Sequence, residues 1–264
     1  MESSRIRVSV AMAAYNGASY LRPQIDSILS QLGECDELVV SDDGSADGTL
    51  SILRAYQEKD SRVILIDGPR RGIKKNVENA VSHARGRYIF LADQDDIWRA
   101  DKVQKALAAF EAHDAYVVIH DAQVFEELDS HTGSQEGCQV IMDSFFQFRN
   151  SGPGVIKNMW KNCYIGCCMA FRRELKEVIL PIPGRIEMHD QWIGILGDYF
   201  CGKSCFLQEP LLDYRRHRDN NSSLNHYGIG KMLRNRIVFF GYFFVRILHF
   251  RHKKIRDSWK FQEK

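Results

Sequence analysis

Apolar and polar positions along the first 120 residues alternate between two periods. Ile6, Val8, Val10 and Met12 point one way and Arg7, Ser9 and Ala11 the other, which predicts a strand. After the turn Ala13–Gly17, Leu21, Ile25, Ile28, Leu29 and Leu32 recur at helical spacing up to Gly33. Leu38-Val39-Val40 predicts a second strand, followed by the polar turn Ser41-Asp42-Asp43-Gly44-Ser45 and a helix bearing Leu50, Ile52, Leu53 and Tyr56. Val63-Ile64-Leu65-Ile66 predicts a third strand, ending at the Gly68–Gly72 turn. A helix carrying Ile73, Val77, Ala80, Val81 and Ala84 comes next, closed by Gly86. Tyr88-Ile89-Phe90-Leu91-Ala92 predicts a buried fourth strand, then a helix spans about 101–113, and Tyr116–Ile119 is a further strand. Strand and helix alternating with short connections imply βαβ units and a mainly parallel sheet.

The second half is less regular. Residues 131–137 are polar and read as loop, and Phe145-Phe146-Gln147-Phe148 is apolar without a clear period. Tyr164–Phe171 reads as a buried strand containing a turn, and Arg172–Ile179 as a short helix. A helix opens at His189-Asp190-Gln191-Trp192 with Ile193, Leu196 and Tyr199 turned inward. Cys205–Leu207 and Leu211–Tyr214 read as two strands before the polar segment Arg215–Ser222.

Composition changes little in this picture: 264 residues with 44% hydrophobic content support one large α/β domain with an appendage. The seven cysteines form no dense framework, and Met1–Arg5 reads as no secretory signal, so reduced thiols in a cytosolic compartment are expected. Cys163, Cys167 and Cys168, with Cys201 and Cys205, have the residue type for zinc, but their loose spacing and apolar surroundings favour core positions. Charge divides the chain. Residues 229–264 hold ten Lys and Arg against Asp257 and Glu263, a net +8, which leaves residues 1–228 at −6. That division argues against nucleic-acid binding along the whole chain.

The candidate chemistry sits in the turns. Asp93-Gln94-Asp95-Asp96 places three carboxylates at the carboxyl end of the fourth strand, where open α/β sheets bind ligands. Such clustered charge suits a hard divalent cation shared with substrate phosphates, and it also suits a solvated turn. Asp42-Asp43-Gly44 alone is satisfied by an Asx turn. No GxGxxG follows the first strand and no GxxxxGK[ST] occurs anywhere, which argues against dinucleotide-binding dehydrogenases and P-loop enzymes.

Taken together, Ala14-Tyr15-Asn16, Asp42-Asp43-Gly44-Ser45, Asp93-Gln94-Asp95-Asp96, His189-Asp190-Gln191-Trp192 and Tyr214-Arg215-Arg216-His217 resemble, in order and spacing, the family 2 glycosyltransferases of GT-A fold. Within that family they are most similar to the bacterial rhamnosyltransferase-like members, over residues 6–223. The resemblance implies a GT-A catalytic domain over 1–223, with a nucleotide-binding half to about 125 and an acceptor-binding half over 126–223. It implies that Asp42 bonds a pyrimidine ring in a pocket lined by Ala14 and Asn16, and that Tyr15, Asp43, Lys74, Asp93 and Gln94 also contact the nucleotide-sugar. By the same resemblance Asp95 and His217 ligate Mn²⁺ or Mg²⁺, and Asp190 is the base of an inverting transfer. His189, Gln191 and Trp192 fall beside the acceptor or sugar, although Trp192 equally suits the core. Asp96 is expected to cap the next helix or orient the site, and Arg71, Arg215, Arg216 and Arg218 to approach the diphosphate. The family more often has Glu-Asp where this chain has His189-Asp190. The QxxRW signature of polymerising synthases is missing, so one sugar per encounter is expected.

Three other functions compete for the same sequence, one of them a membrane-scaffold role driven by the basic tail, which would survive mutation of the acids. A sugar-1-phosphate nucleotidyltransferase needs a glycine-rich, arginine-containing loop after the first strand, and Asn16-Gly17-Ala18-Ser19 is not one. A non-catalytic sugar-binding module would lack one of Asp95, Asp190 and His217.

Residues 224–264 form a basic tail. Its apolar run Ile237–Val245 is too short to span a bilayer of about 30 Å. It predicts a helix lying on the anionic inner face of a membrane, or packed on the catalytic domain or on a second copy in a homodimer. The expected location is therefore cytoplasmic and peripheral to the membrane, and the expected acceptor a saccharide or lipid-linked saccharide.

Overall fold

The computed structural model describes residues 6–127, 137–217 and 228–250. The loop read at 131–136, the segment 218–222 that holds Arg218, and the basic cluster after residue 250 lie outside the described residues. One sheet organises the chain, in the order β3-β2-β1-β4-β8-β6-β9-β5, with β7 paired to β6. Its first part is the expected parallel array: β1 (Val8–Ala14), β2 (Glu37–Asp42), β3 (Val63–Asp67) and β4 (Tyr88–Asp93). Every residue of β1 and β2 is buried, because helices cover both faces of a parallel sheet and leave no polar side.

Beyond β4 the sheet becomes mixed. The strand β8 (Met169–Arg172) runs antiparallel to β4 on one side and to β6 (Val117–Glu127) on the other. The long β9 (Ser204–Arg216) returns parallel to β6. It joins the two short strands expected at 205–207 and 211–214, with register shifts near Pro210 where the ladder breaks. Two strands not expected from the sequence are β5 (Ile97–Trp98), paired to β9, and β7 (Cys138–Met142).

The helices of the first half are α1 (Leu21–Leu29), α2 (Thr49–Lys59), α3 (Ile73–His83) and α4 (Lys102–Ala112). Short helices α5 (Phe145–Arg149), α6 (Val155–Trp160) and α7 (Lys176–Ile179) precede α8 (His189–Phe200) and α9 (Ile229–Phe250). Tyr199, expected inward on α8, is 47% exposed and makes an edge contact with Phe243 of α9 instead. The cysteines form no disulfide, and Cys163, Cys167, Cys168 and Cys201 are core residues.

Candidate active site

The turns after β1, β2 and β4 open into one cleft of about 1440 Å³ on the carboxyl edge of the sheet. Two buried side chains hold that edge together. Asn76 of α3 donates from Nδ2 to the carbonyls of Ala14 (3.1 Å) and Ser41 (2.8 Å), tying the ends of β1 and β2. Gln24 of α1 donates to the carbonyl of Asp93 at 2.6 Å. Neither stood out in the sequence, since an amide on a helix face carries no signal of its distant partner.

Ala14, Tyr15, Asn16, Asp43, Lys74, Asp93 and Gln94 line the cleft, as do Asp95, His189, Asp190, Gln191 and His217. Asn16 sits at φ 49°, a backbone region that Asn tolerates, and its Oδ1 accepts from the amide of Ala46 at 2.8 Å. Gln94 grips Tyr15 at both ends: Oε1 accepts from the Tyr15 amide at 2.8 Å and Nε2 donates to its carbonyl at 2.9 Å. Gly17 is what leaves room for this clamp, because a Cβ there would lie 2.2 Å from the Gln94 amide carbon. The lysine Nζ of Lys74 donates to the carbonyl of Ile186 at 2.6 Å, which fixes the loop ahead of α8 across the cleft.

Four residues sit differently from one of their expected placements. Asp42 does not line the cleft: its buried carboxylate accepts from the amides of Gly44 (3.1 Å) and Ser45 (2.9 Å) and closes its own turn. Asp43 faces the cleft in its place, bonded to the amides of Arg71 (3.3 Å) and Gly72 (2.8 Å). Trp192 is fully buried and belongs to the core: its Nε1 donates to the carbonyl of Ile179, and its ring meets Phe239 of α9. Asp96 caps no helix. It lies beneath the acidic turn and accepts from the amide of Arg215 at 3.2 Å. Arg215 is likewise buried there. It donates to the carbonyl of Asp95 at 2.9 Å and pairs with Glu127, so it holds the turn from below instead of reaching for a diphosphate.

On the cleft side, His217 Nε2 lies 2.8 Å from Asp95 Oδ2, and the imidazole stacks on Tyr20 with centroids 4.5 Å apart. On the inner side, ligand atoms of Asp93, Asp96 and Cys167 come within 4.8 Å of one another, and Asp96 Oδ2 is buried without a hydrogen-bond partner. Burial and the neighbouring Asp95 and Asp190 charges push Asp93 up to about 7, and burial with the Asp95 and Asp93 charges pushes Asp96 well above the usual range. Crowded carboxylates with a histidine at the cleft wall form a donor set that fits Mn²⁺ or Mg²⁺. Of the two groups, Asp95 and His217 both line the cleft. Asp96 lies outside the cleft lining, and a hydrogen bond with Cys168, then burial, hold the Cys167 thiol protonated.

Behind the acidic turn is a buried cation that sequence reading missed. Lys102 of α4 is fully buried, donates to the carbonyl of Cys167 at 2.7 Å and sits 3.8 Å over the Trp98 ring. Burial lowers it to about 8, so it still carries charge at neutral pH and faces the Asp93 carboxylate as that group ionises.

Across the cleft, Asp190 is buried in the first turn of α8. Its Oδ1 accepts from Asn162 Nδ2 (3.1 Å) and the Gln191 amide (2.6 Å). Burial raises it to about 6, close to neutral. His189 beside it is lowered to about 4 by burial and then by Lys74, so its ring is neutral at physiological pH. Gly166 allows this packing, since a Cβ there would sit 2.9 Å from His189 Nε2.

Residues 9–180 match the family model described as "Glycosyl transferase family 2". The chain belongs to glycosyltransferase family 2. It is 37% identical over 219 residues to EpsE of Bacillus subtilis, a protein named as a glycosyltransferase; the match covers 81% of this chain and 74% of EpsE. The first 349 residues of S. aureus TarS, solved in complex with UDP-GlcNAc, superpose with a TM-score of 0.66 at 18% identity, covering 89% of this chain and 66% of that one. The Pyrobaculum calidifontis mannosyltransferase PcManGT, solved with GDP-Man and Mn²⁺, gives 0.55 at 22% identity over 79% of this chain and 56% of its own. These likenesses establish the GT-A fold. Matches to four curated relatives cover 61% to 81% of the relatives' own lengths.

Proposed function

We propose that this glycosyltransferase is metal-dependent and inverting, and that it moves one sugar from a nucleoside diphosphate to a saccharide or lipid-linked acceptor at the cytoplasmic face of a membrane. The observation that carries the reading is Asp190: a buried carboxylate raised to about 6, in the same cleft as Asp93 and the Asp95–His217 pair. A carboxylate near neutrality is both ionised at working pH and basic enough to accept a hydroxyl proton.

In this reading the donor's base lies by Ala14, Tyr15 and Asn16, with Asp43 rather than Asp42 the acid that faces the cleft there. Asp93 lies by the ribose and sugar. Asp190 takes the acceptor hydroxyl proton on Oδ2, its other oxygen being engaged by Asn162 and the Gln191 amide. The acceptor oxygen bonds to C1 from the face opposite the diphosphate. The C1–O bond to phosphate breaks and its electron pair leaves with the nucleoside diphosphate, so the anomeric centre inverts. A Mn²⁺ or Mg²⁺ ion held by Asp95 and His217 would supply neutralisation of that leaving charge. Neutral His189 and Gln191 border the acceptor. dTDP-rhamnose is the proposed donor, on the resemblance to rhamnosyltransferase-like members; a UDP-sugar, as bound by TarS, is the competing choice.

The test pairs binding with turnover. Thermal shifts by dTDP, UDP and GDP with Mn²⁺ identify the nucleotide. Asp190→Asn should keep the shift of the preferred nucleotide and lose transfer by about 10²–10⁴-fold. Near-normal transfer by that variant would remove Asp190 as the base.

A further inference from the structure

Helix α9 has two apolar faces. Phe239, Phe243 and Phe250 are buried against α8 and the domain, with ring contacts to Trp192, Tyr199 and Phe200. Leu233, Ile237, Phe240, Phe244 and Leu248 are all exposed, from 45% to 70%. Their spacing of three and four residues makes them one continuous stripe along the outside of the helix. A continuous exposed stripe of large apolar side chains marks an interaction surface.

Charge indicates what meets that surface. Between 229 and 250 the helix carries Lys231, Arg234, Arg236 and Arg246 and no acidic residue, and the chain after it adds six more cations against two acids. Arg246 turns to the domain, donating to the carbonyls of Val178, Leu180 and Pro181, but an apolar stripe on a helix with Lys231, Arg234 and Arg236 and no acid complements an anionic bilayer. A twofold dimer through the same stripe would bring these cations toward their own copies and so oppose itself. At the amino-terminal end, Arg236 donates to the carbonyl of Trp160 and lies 4.1 Å over its ring, which is 67% exposed. An exposed indole beside a guanidinium suits the water–membrane boundary.

The same end of the helix closes the cleft. Trp160, Lys161, Met232 and Arg236 line it together with Asp190. We infer that α9 seats the protein on an anionic membrane surface through the Leu233–Leu248 stripe, so that the cleft takes its acceptor as a lipid-anchored saccharide from that surface. The acceptor half of this inference rests on the transferase reading; the docking half does not.

Flotation of the full chain with phosphatidylcholine vesicles, with and without phosphatidylglycerol, tests it. The wild type should float with the phosphatidylglycerol vesicles. A Phe240→Ser/Phe244→Ser variant, altered only at exposed positions, should float at least about tenfold less. Its melting temperature and its nucleotide thermal shift should match the wild type, which separates docking from folding and from donor binding. Absence of flotation by the wild type, or equal flotation of both proteins, would overturn the docking. So would a wild-type dimer in light scattering that the variant dissolves while neither protein binds vesicles. Loss of the nucleotide shift with flotation intact would count against the transferase reading, and with it the acceptor assignment, and leave the docking standing.

Discussion

Asp95 and His217 are 122 positions apart in the chain, and their side chains meet at 2.8 Å on the wall of the cleft. The distance is short because β9 runs parallel to β6 and ends beside the acidic turn, where Arg215 bonds the Asp95 carbonyl. A hydrogen-bonded pair at this place either serves only to order the turn or is a cation site. Titrating Mn²⁺ into the wild type, Asp95→Ala and His217→Ala decides between them. Activity should vanish in EDTA and return with Mn²⁺ in the wild type. The Asp95 variant should lose about 10²-fold or more at saturating metal, and the His217 variant should need a higher Mn²⁺ concentration, as loss of one ligand predicts. Equal metal response in all three proteins would reduce the pair to a structural hydrogen bond.

Asp190 makes the pH dependence specific. Its pKa is raised in the folded protein, so the ionised base forms only as pH rises through about 6. At saturating Mn²⁺, kcat/KM should fall on the acid side with a midpoint near 6. The same shift has a cost in stability. The folded state favours the protonated acid, so stability is lost as pH rises from about 4 to about 6, by at most about 3 kcal/mol. Without donor, Asp190→Asn should therefore melt higher than the wild type at pH 7.5, and the difference should close near pH 4. A variant that melts lower at pH 7.5 would show that the carboxylate is needed for the fold.

Lys102 should matter to stability more than its place on a helix face suggests. Lys102→Met keeps the stem over Trp98 but removes the charge facing Asp93 and the donor to Cys167. The expected loss is about 2–4 kcal/mol, because the ionised Asp93 is left buried without a counter-charge. Asp96→Asn should cost under about 1 kcal/mol, since burial and the Asp95 and Asp93 charges favour the protonated form of Asp96. Calorimetric melts of both variants at pH 7 measure this. Equal losses would place the charge balance on Asp96 instead.

The first half of the chain was legible because each of its elements carries its own period and each turn its own acids. The elements β1 to β4 and α1 to α4 lie where the apolar spacing put them, and Asp95, His217 and Asp190 share one cleft. What could not be read depended on distant partners. Asp42 and Asp43 are adjacent and chemically identical, and only the turn geometry sends one inward to Gly44 and Ser45 and the other outward. Trp192 lies one residue past a cleft residue, yet the helical turn of about 100° per residue carries it to the core beneath α9. Lys102 gave no warning at all, because a lysine in a helix normally lies at the surface.

The place of β8 also constrains how the protein is made. It comes from residues 169–172 yet fills the gap between β4 and β6, both complete by residue 127. Until it emerges from the ribosome, the nascent chain presents β4 and β6 with unpaired backbone edges that face each other across an empty slot. Such edges invite wrong pairing, including between neighbouring nascent chains. Closure of the sheet between β4 and β6 therefore waits for the second half of the sequence.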